Sequence, residues 1–179
     1  MSDSANFDQM LELLYMSGRS LPHAILMMIP EAWGEKYYMG HDRRGFYEYH
    51  ANFMEPWDGP AAILFTDGVQ AGGILDRNGL RPLRYSITRN DLLILGSETG
   101  AIEIDPPDIV ARGRLRPGKM MIVDIAKQRV LNNDEVKADI TRQQHYRRWV
   151  AANRIEFQGF GIGAGATTFD EATLLTRQI

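Results

Sequence analysis

Glu55–Tyr85 reads EPWDGPAAILFTDGVQAGGILDRNGLRPLRY, and its reading decides the fold. Ala61–Phe65 and Val69–Leu75 are apolar runs on either side of Thr66-Asp67-Gly68. An Asp-Gly pair supplies the positive φ that a short connection needs, so the pattern predicts a β-hairpin. Asp76-Arg77-Asn78-Gly79-Leu80-Arg81-Pro82 follows, dense in turn formers and charge. Such a corner serves either as plain scaffold or as a site. Asp76, Arg77, Arg81 and Arg84 suit an internal ion-pair network or an anionic ligand equally well.

Downstream, Leu83–Thr88 and Leu92–Gly96 flank the polar turn Arg89-Asn90-Asp91 and predict a second strand pair. Pro106-Pro107 leads to Ile109-Val110. Arg112–Gly118, RGRLRPG, reads as a basic loop because its Pro-Gly end continues neither strand nor helix. Lys119–Ile125 and Gln128–Leu131 predict a last hairpin, Asp134 opens a short acidic helix or turn, and Thr141–Asn153 predicts a longer helix with Tyr146, Trp149 and Val150 on one side.

Upstream, Phe7, Met10, Leu11 and Leu14 fall on one helical face behind Ser2, Asp3 and Ser4, and the helix should stop at Gly18. Ser20 and Pro22 start a second helix with Ile25, Met28 and Ile29 on its apolar face, ended by Pro30. Met27-Met28 reads as core packing. Residues 31–41 predict an ordered loop, and Asp42–Met54 a third helix carrying Phe46, Tyr49, His50 and Phe53. Helices, then antiparallel-type strands, then helix, with no internal repeat, point to an α+β fold.

At 179 residues, 44% hydrophobic and 24% charged, the chain has the balance of one globular domain with a substantial core. The net charge of −3 argues against a nucleic-acid partner, and Arg142, Arg147, Arg148 and Arg154 read as a solvated helix face. No segment approaches the roughly 20 apolar residues of a membrane span, and the amino-terminal MSDSANFDQM is acidic where a secretion signal is basic and then apolar. A cytoplasmic protein without a membrane partner is expected. The absence of cysteine excludes disulfides, thiolate metal sites and any cysteine nucleophile from within this chain.

Candidates for chemistry are few. Glu55, Asp58, Asp67 and Asp76 cluster in sequence, and paired carboxylates do acid–base work or bind metals, but turns and strand ends also collect them for structural reasons. His41 and His50 have no partner at metal-ligand spacing, so no metal site is expected. Gly159–Ala166, GFGIGAGA, has Gly-x-Gly spacing, yet a helix precedes it where a dinucleotide fingerprint follows a strand. It reads as a flexible linker.

EPWDGPAAILFTDG (55–68), LDRNGLRPLRY (75–85), LGSETGAIEID (95–105) and RGRLRPGKMMIVD (112–124) together resemble the later part of the glutamine amidotransferase domain of glutamate synthase large chains. SDSANFDQMLELL, LPHAILMMIPEAW and HYRRWVAANRI match the same family in order, over nearly the whole chain. A shorter echo, Asp-x-x-Gly-x-Arg-Pro and then Ser-Glu, is similar to class II amidotransferases in general.

The resemblance implies part of a four-layer αββα sandwich of the N-terminal nucleophile hydrolase type. It implies a domain that releases ammonia from glutamine through an amino-terminal cysteine and an Asn-Gly oxyanion pair. The ammonia then passes to a separate site where 2-oxoglutarate becomes glutamate, served by FMN and an iron–sulfur cluster in other domains. By position, Asp3 resembles the carboxylate that pairs with the α-ammonium of glutamine, although an acidic residue there also suits a helix N-terminus. Asn78-Gly79 lies in a different motif from the oxyanion pair.

The expected organisation is an amidotransferase portion at 1–158 and a glycine-rich linker with the start of a further segment at 159–179. Without cysteine the chain should be inactive alone, with the remainder of a large chain as its partner and self-association through uncovered sheet. A stand-alone, non-catalytic binding module on the same scaffold is the competing expectation.

Overall fold

The computed structural model describes residues 2–155, so the glycine-rich run at 159–166 and the expected boundary at 158 lie outside the described residues. Helices α1 (Asp3–Met16), α2 (Leu21–Met28) and α3 (His41–His50) come first. Strands β1 (Ala62–Thr66), β2 (Gln70–Leu75), β3 (Arg84–Thr88), β4 (Leu93–Gly96), β5 (Ile109–Arg114), β6 (Met120–Asp124) and β7 (Arg129–Leu131) follow, then α4 (Asn133–Thr141) and α5 (Tyr146–Asn153). The fold is α+β, with antiparallel sheets of order β1-β2-β6-β7 and β4-β3-β5.

The predicted hairpin is present. Asp67 Oδ1 accepts from the Val69 and Gln70 amides at 3.0 and 2.7 Å, and Gly68 takes φ +86°, so the Asp-Gly chemistry sets the register Phe65↔Gly72. Alternation then sends Ile63, Phe65, Ile74, Met120 and Ile122 to one face of the four-stranded sheet, where they pack against the helices. Leu75 on the other face packs with Leu83 and Leu115, which flank β3 and β5 of the three-stranded sheet.

Four sequence expectations need correction. Arg112–Gly118 is not wholly a loop: Arg112 and Arg114 belong to β5, paired with Ser86 and Arg84 of β3, and the chain leaves the sheet after Arg114. The helix expected over Thr141–Asn153 is instead the end of α4 and a separate α5. The break lets α4 pack on β6 while α5 packs along α3. The third helix ends at His50, leaving Phe53 63% exposed, and α2 is buried on every side rather than along one face.

Candidate functional site

The Asp76–Pro82 corner is closed by backbone chemistry. Asp76 is buried; Oδ1 accepts from the Ala61 amide at 3.1 Å, and Oδ2 accepts from Asn78 and Gly79 at 2.9 and 3.3 Å. The Asp76 carbonyl takes the Gly118 amide at 2.8 Å. These bonds occupy the carboxylate with donors that fix the turn, so it acts as an internal cap. Gly79 holds φ +60° with Pro117 packed where a side chain would stand, which explains glycine at that position.

The arginines around the corner form no network with Asp76. Arg77 pairs with Asp58 at 3.4 Å, Arg81 Nε donates to the Pro60 carbonyl at 3.2 Å, and Arg84 is exposed at the start of β3. Asp67 is committed to its own turn. The four carboxylates singled out in the sequence are therefore dispersed, and no group of three or more His, Asp or Glu side chains suited to a metal occurs among the described residues.

Asp3 stands in the first turn of α1, exposed to solvent. The capping duty falls to Ser2, whose hydroxyl accepts from the Ala5 amide at 3.4 Å. The Asp3 carboxylate has no side-chain partner among the described residues. One turn on, Phe7 packs edge-on against Trp57, with ring centroids 5.5 Å apart. Trp57 is itself tied to the Met28 carbonyl at 2.7 Å and to the Gly59 carbonyl at 3.1 Å. The start of α1 is thereby anchored beside the segment that leads into β1.

Two buried polar clusters escaped sequence reasoning. Lys137, fully buried, donates to Glu31 Oε2 at 2.9 Å and to the Gly118 carbonyl at 2.6 Å. Tyr47 donates to Glu31 Oε1 at 3.2 Å, and Arg43 bridges Glu31 to Asp134. Burial pushes the Lys137 amine down to about 8 against the pull of Glu31, and burial followed by the Glu31 charge drives the Tyr47 phenol well up. An ammonium sealed onto a backbone carbonyl joins α4 to the Pro117-Gly118 turn and so, through Gly118, to Asp76. The available signal was a lysine among Val136, Ile140 and Thr141 on the buried face of α4.

The second cluster is His23 and His50, with Nε2 atoms 3.1 Å apart. His50 Nδ1 faces the Phe46 carbonyl at 2.8 Å and must donate to it, so His50 Nε2 accepts and His23 Nε2 donates. Burial lowers both imidazoles to about 4; the neighbouring His50 and then Arg19 add to this for His23, and Arg19 for His50. Phe46 and Tyr146 enclose the pair. It is a neutral, packed contact between α2 and α3.

The family model for class-II glutamine amidotransferases matches residues 1–149. The NADPH glutamate synthase large chain of Bacillus subtilis (strain 168) is 43% identical over 177 residues, covering 99% of this chain and 12% of that protein. The NADH glutamate synthase of Schizosaccharomyces pombe is 45% identical over 156 residues, covering 87% of this chain and 7% of that one. The ferredoxin-dependent glutamate synthase of Pyropia yezoensis is 45% identical over 147 residues, 81% of this chain and 10% of that one. The chain thus spans about a tenth of the length of these relatives, whose names carry three different electron donors.

Proposed function

The chain belongs to the class-II glutamine amidotransferase family, and on that premise we propose that it is the later part of the glutaminase domain of a glutamate synthase large chain. The observation that carries the reading is the match over residues 1–149 together with relatives that all bear the glutamate synthase name. In that role it helps release ammonia from glutamine for glutamate synthesis from 2-oxoglutarate, in the cytoplasm. The chain has no cysteine, so the attacking thiol must come from outside these 179 residues, and the chain alone does not hydrolyse glutamine.

The amidotransferase portion is assigned to residues 1–158 and a linker with the start of the next segment to 159–179. A four-layer αββα sandwich is the architecture we favour. Supporting it, the helix-free face of the four-stranded sheet carries Leu64, Met121, Val123 and Val130, apolar and incompletely covered, as a face needing a second sheet would be. Left uncovered, the same face favours self-association of the isolated chain.

Within the assembled domain, Asp3 pairs with the α-ammonium of glutamine. Its support is an exposed carboxylate, without a partner among the described residues, on a turn whose capping is done by Ser2. An iron–sulfur cluster finds no thiolate in this chain, and among the described residues no glycine-rich loop leads from a strand into a helix to cradle a flavin phosphate. We assign FMN and the cluster to other domains of the large chain, of which this chain spans about a tenth.

The test is to exchange the matching segment of the Bacillus subtilis large chain for residues 1–179. The chimera should support both glutamine-dependent and ammonia-dependent glutamate formation. Asp3→Asn should raise the KM for glutamine and leave ammonia-dependent turnover intact. A chimera active with ammonia but not with glutamine would overturn the assignment, and an unchanged KM in Asp3→Asn would overturn the role of Asp3.

A further inference from the structure

The motif RGRLR, which the glutaminase reading leaves without a role, places two arginines on one face of β5. Residues directly opposite in an antiparallel ladder share a face, so Arg84↔Arg114 and Ser86↔Arg112 put Arg84, Arg112 and Arg114 side by side on the three-stranded sheet. Tyr85 and Leu95 occupy the other face, against Leu75, Leu83 and Leu115, so the arginine face is the one turned away from the core. All three arginines are exposed, and none has an ion-pair or hydrogen-bond partner among the described residues.

Like charges directly opposite across a ladder destabilise it. Carboxylates lie close by: Glu98, Glu103, Asp105 and Asp108 line the same open hollow, of about 910 Å³, as Arg84 and Arg112. None of them comes within ion-pairing distance of the three guanidinium groups. The described residues thus leave the cluster unneutralised, and a partner bearing carboxylates would relieve its repulsion.

We infer that Arg84, Arg112 and Arg114 form a docking face for an extended acidic protein segment with carboxylates at alternate positions. Arg112 and Arg114 are two residues apart on a strand, a separation of about 6.8 Å, which is also the spacing of same-face side chains on an extended partner. Guanidinium groups take carboxylates in bidentate fashion, and Arg84 stands beside Arg114 to take the same or a neighbouring one. A general attraction for polyanions is a poor rival in a chain whose net charge is −3. The inference is independent of the glutaminase reading.

Binding of a short peptide of alternating glutamate and threonine to the purified chain at low ionic strength tests it. Its glutamine–threonine counterpart and a single-stranded RNA oligomer serve as comparisons. The acidic peptide should bind, weaken with added salt, and bind roughly tenfold or more weakly to the Arg84→Gln, Arg114→Gln double variant. The melting temperature of that variant should be unchanged or raised, because the opposed charges are gone. Failure of the acidic peptide to bind, undiminished binding by the variant, tighter binding of RNA, or a lowered melting temperature would each overturn the inference.

Discussion

The two faces of the four-stranded sheet are made of similar residues and meet different fates. Phe65 is 8% exposed while its neighbour Leu64 is 55% exposed; Ile122 is 1% exposed while Val130, on the opposite face of the adjoining strand, is 39% exposed. One face lies under helices, against Ala24, Ile25 and Leu26 of α2, all fully buried. The other is covered only towards Leu75, where Leu83, just before β3, packs over Gly73. Alternating polar residues would be expected on a face meant for water, and this one is largely apolar. The composition of this face would suit the proposed sandwich, and the stability of the chain as it stands should come overwhelmingly from the helix side.

The largest test of that asymmetry is Lys137. Lys137→Ala removes the cation that holds Glu31 and the Gly118 carbonyl together beneath the helices, and breaking a buried pair in this way costs about 3–5 kcal/mol. Urea denaturation should show it. Lys137→Met, which fills the volume, should recover part of the loss only if Arg43 can satisfy Glu31 alone. A negligible change in Lys137→Ala would mean that the helix face is not where the chain is held.

A matched pair of truncations comes next. Ile122→Ala, on the helix face, should lower unfolding stability by about 3 kcal/mol. Leu95→Ala, half-buried in the smaller cluster behind the three-stranded sheet, should lower it by about 1 kcal/mol. Equal losses would erase the distinction between the two sides.

Proton linkage should mark the helix side as well. His23 and His50 are lowered to about 4 from an ordinary 6.5, so the unfolded chain takes up protons first as the pH drops. Their contribution is fully present above pH 6.5, falls between 6.5 and about 4, and is exhausted below that. Denaturation midpoints measured across this window should decline, and His50→Leu should flatten the slope. A midpoint independent of pH from 7 to 4 would show that the pair is not neutral and packed as described.

These contrasts also explain what was legible in the sequence. The hairpin at Asp67-Gly68, the strand pair around Asn90 and the buried methionines of α2 were readable because each rests on local periodicity or turn chemistry. β5 was obscured because alternating arginine with glycine and leucine looks like a loop when no partner strand is in view. The α4–α5 break is a packing decision, since α5 follows α3 rather than the sheet. His23 and His50 are 27 residues apart, and Lys137 meets Glu31 from across the fold; neither contact has a local signature. Asp76 was visible as a candidate, but only its backbone donors decide that it closes a corner.

The smallest expected effect is the most informative about the free face. Leu64→Thr keeps strand propensity and removes apolar surface that is already more than half exposed, so the monomeric chain should change by no more than about 0.5 kcal/mol. Two measurements give this meaning. Sedimentation of the wild-type chain should show concentration-dependent association that Leu64→Thr reduces, because the substitution weakens the exposed patch. Placed in the glutamate synthase chimera, the same substitution should be several times more destabilising than in the isolated chain, because a second sheet would then bury residue 64. A small cost in both settings would leave the face solvent-facing, and the four-layer sandwich would lose its support. A large cost in the isolated chain at low concentration would mean that the face is already covered within these 179 residues, and the contrast between the two faces would fail.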